Sequence, residues 1–199
     1  MTEKEKMIAE QPYNSMEEEL VRERLEAKKA LYRYNNLPPE EMVQGFEILR
    51  KLFGKTGNSF WIEQPFRCDY GYTISIGENF YANYNCIILD SAPVTIGNNV
   101  MLAPNVGIYT AGHPLHFEPR IAGIEYGISV TIGDNVWIGA GAIILPGVTI
   151  GSNSVIGAGS VVTKDIPSGV LAAGNPCKVL RVIPEEEREY YFRNRKLPE

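Results

Sequence analysis

The sequence predicts a mainly β protein: a solenoid of hexapeptide coils behind an α-helical cap, closed by a short C-terminal helix. Three observations carry this. Aliphatic residues recur every six positions from Ile132 through Ile138, Ile144, Ile150 and Ile156 to Val162. Ile-Gly dipeptides mark the same rhythm and reach back to Ile76-Gly77 and Ile96-Gly97. The first 55 or so residues lack both features and show helical spacing instead. A period of six fits one short strand and one turn. Three such units close a triangular coil, with the aliphatic residue pointing inward and successive coils pairing edge to edge.

The helical cap spans residues 1–58. In "SMEEELVRERLEAKKALYRYNN", Ser15 and Glu18 have capping-box spacing, which predicts a helix start at Ser15. Leu20, Arg24, Ala27, Leu31 and Tyr34 then share a face. "LPPEE" breaks the chain and seeds a second helix with Pro in its first turn. There Met42, Phe46, Leu49 and Phe53 form an apolar stripe that reads as core. "GKTGN" ends the cap and is no phosphate loop, because the upstream glycine of that motif is missing.

Residues 59–183 form the solenoid. Ile76 to Ile96 is twenty residues, one coil with two extra. Ile96, Leu102 and Ile108 step by six, but the next step falls on Pro114 and the rhythm stops. "HPLHFEPRIAGIEYG" has no hexapeptide order, and order returns at Val130. A loop at about 113–129 is therefore expected to leave the prism, with His113 at its base. The tail, 184–199, reads as a short amphipathic helix.

Composition limits the function. The 199 residues are 44% apolar and carry a formal charge of −5. An acidic chain argues against nucleic acid or an anionic membrane as partner. The start, "MTEKEKMIAEQPY", has no apolar signal region, so the cytoplasm is expected. Cys68, Cys86 and Cys177 are too scattered for a disulfide framework or a zinc site and read as buried or half-buried thiols. His113 and His116 are the only histidines. Their HxxH spacing lacks further clustered ligands, so no metal is expected. GxSxG is absent, which weakens a covalent hydrolase. His113 is either a structural histidine at a loop base or a general base working near neutral pH.

Four strings bear on the choice: "IEQPFRCDYGYTISIGENFYANYN", "IGNNVMLAPNVGIYTAGHP", "VTIGDNVWIGAGAIILPGVTIG" and "VIGAGSVVTKDIPSGVLAAGNPCKVLR". With them, nearly the whole chain resembles the maltose and galactoside O-acetyltransferases, and "FRCDYGY" and "LAPNVGIYTAGHP" bring it nearer the maltose branch. The resemblance implies a left-handed β-helix and a homotrimer with active sites between subunits. It implies direct acetyl transfer from acetyl-CoA to a sugar hydroxyl, with no metal. His113 would be the general base. Asn83 would contact the substrates and help stabilise the oxyanion, one subunit supplying both, while Asn85 reads as a turn asparagine. Asp69 would contact the acceptor or bind turn amides. Ser15 and Ser91 stand where the galactoside branch has acidic groups for its sugar, so they are acceptor-site candidates with a different preference. Ala140 and Ala158 would line the pantetheine groove with Trp137. Thr163, Lys164, Lys178 and Arg181 would hold the nucleotide end. Lys178 replaces an arginine of the galactoside branch, a point charge for a bidentate fork.

Two other readings remain: a related acetyltransferase for a different acceptor, such as a galactoside, a lipo-oligosaccharide or an antibiotic, and a non-catalytic trimeric scaffold. A hexapeptide carbonic anhydrase would need three histidine ligands, more than the chain has.

Overall fold

The computed structural model describes residues 1–198. Its body is a left-handed parallel β-helix whose three faces are sheets of four, seven and five strands. Face one stacks Ile74–Ile76, Val94–Ile96, Val130–Ile132 and Thr149–Ile150. Face two runs from Phe60–Ile62 up to Val170–Ala173 and is closed by an antiparallel strand, Lys178–Val182. Face three runs from Arg67–Cys68 to Val161–Val162. The register puts like on like: Ile76 on Ile96, Ile96 on Ile132, Ile132 on Ile150. The strands are two to five residues long and none would persist alone. The inward column stabilises them together, each fully buried Ile contributing about 1.5–3 kcal/mol. Ile74, Ile108, Ile138, Ile144, Ile150 and Ile156 are all completely inaccessible.

Ile96 pairs directly with Ile132. The 36 residues between them are thus one coil plus an excursion, as the broken rhythm predicts. The excursion is a hairpin. Ala111–Gly112 pairs antiparallel with Ile124–Gly127, and a one-turn helix, Phe117–Ile121, lies between them.

Corners determine the rest. At most of them four residues separate consecutive inward side chains, as from Ile76 to Phe80 or Ile138 to Ala142. So tight a turn needs a left-handed residue, and short polar side chains or glycine reach that conformation most cheaply. Between faces one and two, Asn79, Asn99, Asn135 and Asn153 take it, with φ between 55 and 61°. Their amides form a ladder along the corner: Asn79 donates to Asn99 at 3.0 Å, Asn99 to Asn135 at 2.9 Å and Asn135 to Asn153 at 2.8 Å. Asn85, with φ 62°, is the turn asparagine expected.

Among the described residues there are four α-helices: α1 (Glu3–Ile8), α2 (Glu18–Asn35), α3 (Met42–Leu52) and α4, the one-turn helix of the hairpin. Helix α2 buries Leu20, Ala27, Leu31 and Tyr34, and Arg24 of the same face reaches Tyr70 and the Ser15 carbonyl. Met42, Leu49 and Phe53 join the solenoid core, with Phe46 packed against it. The helix start expected at Ser15 is displaced. Tyr13 and Asn14 pair with the returning arm of the hairpin, and Ser15, whose N donates to Gly123 O, lies in the turn that follows this strand. Glu17 caps α2 instead, its carboxylate accepting from Glu19 N and Leu20 N. A capping box does occur, at Thr2 and Glu5.

The tail departs from expectation as well. Its helix is a 3-10 segment, Glu185–Glu189, and the chain then turns into a hairpin of Tyr190–Phe192 with Arg195–Lys196. Three aromatic residues in succession favour extended backbone, where their χ1 freedom is not crowded by a preceding turn.

The asparagine ladder gives a stability order. Asn135→Ala loses two amide bonds and leaves a left-handed residue without the short polar side chain that eases that conformation, so a loss of about 2 kcal/mol is expected in urea unfolding. Asn135→Gly keeps the turn and should lose about half as much. A reversed order would show that backbone strain is not what the corner asparagines relieve.

Candidate active site

One corner breaks the four-residue rule. Between faces three and one, Ile144 and Val148 keep it, but Cys68 to Ile74 and Ile88 to Val94 take six residues each, and Ile108 to Val130 takes twenty-two. Three successive coils therefore carry extra chain at the same edge. Asp69, Ser91 and His113 all fall there, stacked by the register of the coils below and above them.

The lower extra residues are organised by a buried carboxylate. Asp90 is inaccessible. Its Oδ1 accepts from Asp69 N and Tyr70 N, both at 2.9 Å; its Oδ2 accepts from Gly71 N and Thr73 Oγ1, both at 2.6 Å. The sequence assigns Asp90 no role, since it faces away from its neighbour Ser91. Facing inward is what lets it hold the Asp69 turn in shape. Burial raises the Asp90 carboxyl, and the donated hydrogen bonds oppose this. Above it, Thr110 Oγ1 donates to Leu89 O and accepts from Ala92 N, locking the next coil.

His113 stands 52% exposed at the departure of the hairpin. Its Nδ1 lies 3.3 Å from Ile124 O. A carbonyl only accepts, so this contact puts the ring proton on Nδ1 and leaves the Nε2 lone pair available. Nε2 lies 3.9 Å from Glu125 Oε2. The Glu125 side chain is only 16% exposed, and its other oxygen accepts from Tyr13 Oη and, at 3.1 Å, from Ser91 Oγ. Glu125 is the functional candidate that the sequence reading misses. It lies in the irregular stretch after His113, where no periodicity assigns it a face, and only strand pairing turns it toward the ring.

A cavity of about 1130 Å³ opens along face three beside this corner. It is lined by His113, Asp69, Arg67 and Tyr109, with Lys28 and Tyr32 of α2 on the far wall. Burial pushes the Asp69 carboxyl up to about 6, with Asp90 and Glu125 adding to the shift and Arg24 and Lys28 opposing it. Ser91 is placed differently from expectation. It is 1% exposed, with its hydroxyl on Glu125, so it supports that carboxylate from beneath and cannot face an acceptor. Ser15 is half-buried beside the hairpin.

Asn83 is also elsewhere. It sits at the corner between faces two and three, below exposed Ala140 and Ala158 on the same edge, with Oδ1 accepting from Tyr84 N at 2.8 Å. A whole face separates it from His113. One subunit was expected to supply both; within one chain they stand at different edges of the prism, because Asn83 follows a face-two strand and His113 follows a face-three strand. Thr163 and Lys164 stand exposed on the His113 edge, higher up; Trp137, Lys178 and Arg181 are exposed on face two. His116 accepts from Glu118 N and stacks on Phe117. Among the described residues no group of three His, Cys, Asp or Glu side chains is placed to hold a metal ion. Cys68 and Cys86 are buried thiols and Cys177 a half-buried one, all free. No helix among the described residues is long and apolar enough to cross a membrane.

The parallel β-helix of six-residue units is shared with hexapeptide acetyltransferases, and the comparisons place the chain among them. Two family models match: the maltose acetyltransferase hexapeptide capping motif over residues 6–57 and the bacterial transferase hexapeptide over 129–164. The chain is 57% identical to a maltose O-acetyltransferase from Clostridium difficile 630 of known structure, with a TM-score of 0.91 over 93% of this chain and 99% of that one. It is 46% identical to a galactoside acetyltransferase solved in complex with coenzyme A, with a TM-score of 0.96 over the full length of both. The galactoside O-acetyltransferase of Escherichia coli K12 is 46% identical over 97% of this chain and 95% of its own. The chain belongs to the maltose and galactoside O-acetyltransferase family of hexapeptide acetyltransferases.

The Asp69 environment makes a pH prediction. Its carboxyl sits near 6 in the folded chain and near 3.8 when unfolded, so the folded state binds the extra proton between those values. Stability is therefore greatest below pH 4 in this respect and declines as pH rises through 6. Asp69→Asn should remove that decline and gain about 1–2 kcal/mol at pH 7.5. Urea unfolding from pH 4 to 8 measures it; parallel curves for the two proteins would contradict the assignment.

Proposed function

We propose that the protein transfers the acetyl group of acetyl-CoA to a hydroxyl of a sugar such as maltose or glucose, with His113 as general base. The observation that carries this reading is the His113 ring, its proton held on Nδ1 by Ile124 O and its Nε2 at the edge of a cavity lined by a carboxylate. In that arrangement Nε2 accepts the hydroxyl proton as the oxygen attacks the thioester carbon. A new C–O bond forms and the tetrahedral oxyanion collapses. The C–S bond breaks, and the imidazolium returns its proton to the departing thiolate, giving acetyl ester and free coenzyme A. Glu125, 3.9 Å from Nε2, stabilises the imidazolium while it exists. Asp69, ionised above pH 6, accepts from another acceptor hydroxyl.

The separation of Asn83 from His113 supports a trimer with sites between subunits. One chain contributes His113, Asp69 and Glu125 from its widened edge. Its neighbour contributes Asn83 as the oxyanion donor, and the Ala140 and Ala158 edge, where the absence of larger side chains lets pantetheine lie against the backbone. Trp137 flanks this groove. Thr163, Lys164, Lys178 and Arg181 lie where the two chains meet around the nucleotide, the cations suiting its phosphates. The related galactoside acetyltransferase was solved with coenzyme A, which favours that ligand here. The cytoplasm, where acetyl-CoA is made, is the fitting compartment.

Coenzyme A release from acetyl-CoA, measured across glucose, maltose, galactosides and amino sugars, tests the reading. Sugar-dependent release is expected, and His113→Ala should lower kcat by about a thousandfold while acetyl-CoA affinity stays within about threefold. Arg181→Ala should raise the KM for acetyl-CoA about tenfold and flatten its salt dependence. Absence of acetyl-CoA binding in the wild type would favour a non-catalytic scaffold. Release with another acceptor class alone would keep the enzyme and replace the sugar.

A further inference from the structure

The hairpin that carries Glu125 is held from outside the solenoid. Tyr13–Asn14 lies against its returning arm as a third antiparallel strand, with Tyr13 directly opposite Glu125 and Asn14 opposite Ile124. Three further contacts fasten this N-terminal strap. Glu3 Oε2 accepts from Asn14 N at 2.6 Å, Glu10 Oε1 accepts from Ser129 N at 3.1 Å, and Ser15 N donates to Gly123 O at 3.3 Å. The strap therefore grips the returning arm near both ends. At its lower end the arm sits close on the coil, where a Cβ at Gly127 would come within 2.8 Å of Ser91 O.

Tyr13 is the strap residue whose hydroxyl reaches Glu125. It is 1% exposed and packs with Met7, Leu20 and Tyr70. Its hydroxyl donates to Glu125 Oε1, the same oxygen that Ser91 Oγ reaches, and leaves Oε2 toward His113. Burial, with Glu125 adding to it, raises the Tyr13 phenol, so it remains a donor throughout the working pH range. The other groups acting on this cluster are His113 on the hairpin, Asp69 and Tyr70 on the corner below, and Arg24 of α2, which donates to Tyr70.

We propose that Tyr13 is a positioning residue of the catalytic corner, its hydroxyl fixing the rotamer of Glu125 so that one carboxylate oxygen stays turned toward His113. The inference rests on the acyltransferase reading and adds that the N-terminal strap is part of the active machinery. A carboxylate with two donors on one oxygen has its plane set by them. With the phenol removed, only Ser91 remains, and the side chain is free to swing along the hairpin. Packing alone does not require the hydroxyl, since Phe fills the same volume among Met7, Leu20 and Tyr70.

A double-mutant cycle of Tyr13→Phe and Glu125→Gln tests this. Wild-type turnover and its loss in His113→Ala first establish the activity. Tyr13→Phe is then expected to lower kcat about tenfold with the KM for acetyl-CoA unchanged, and Glu125→Gln to cost little more in the Tyr13→Phe background. A second readout needs no turnover. The chain has two histidines, so ring resonances of His113 can be assigned against a His116→Gln variant. The change that Glu125→Gln causes in the His113 ring chemical shifts at fixed pH should shrink to less than half in Tyr13→Phe. Unfolding midpoints confirm that each variant is folded. Tyr13→Phe with wild-type kcat, or strictly additive effects in both readouts, would overturn the proposal while leaving the acyltransferase intact. An inactive wild type with an intact chemical-shift cycle would instead remove the function and keep the positioning role.

Discussion

The inward column of aliphatic side chains is what every other feature answers to. Strands of two or three residues have too few ladder hydrogen bonds to persist, and only stacking Ile on Ile across coils removes enough apolar surface from water. That column requires each coil to return in register. It thereby fixes what the corners are allowed to do: most turn in four residues, through asparagine or glycine with positive φ. A corner that takes more residues must send them outward, because there is no room inside. The His113 corner is the outcome of that constraint, an edge at which three coils have surplus chain and nowhere to place it but the surface.

Rigid scaffold and adaptable edge have separate physics here. The scaffold is apolar, close-packed and repetitive. The edge is polar and held by single hydrogen bonds with individual purposes. Asp90 is the hinge between them, an inward carboxylate whose lone pairs are filled by the amides and hydroxyl of the turn above the cavity. Tyr13, Ser91 and Glu125 repeat the device one layer up, with a phenol and a hydroxyl in place of amides. In both layers a buried acid is satisfied by donors from different segments, which fixes geometry at the cost of desolvation. Burial, and after it the charges of these two acids, raises the Asp69 carboxyl beside them.

The His113 corner and the Ala140 and Ala158 corner stand at different edges of one prism. The His113 edge carries the imidazole and the carboxylates of Asp69 and Glu125. The Ala140 and Ala158 edge is uncharged, with a glycine on either side of each alanine. Threefold packing would set the one edge of each chain beside the other edge of its neighbour, and the flat faces of a triangular prism suit such closure.

The solenoid, its coil length, the excursion after Ile108 and His113 at its base were all legible in the residues, because a six-residue period and its interruption are one-dimensional signals. The family was legible too, in the four long strings. The start of α2 and the form of the tail were not, since local capping and amphipathic spacing were overruled by strand pairing of Tyr13 and Asn14 in one case and by an aromatic hairpin in the other. Nor was the distribution of the site. Asn83 parted from His113 because a corner's position around the prism depends on which face precedes it. Ser91 turned from a contact into a support, and Glu125 emerged from a stretch with no rhythm. The sequence by itself determined the repeat and where it breaks; only the tertiary structure decided which side chains meet at the break, because pairing between residues more than a hundred positions apart, as Tyr13 with Glu125, leaves no periodic trace.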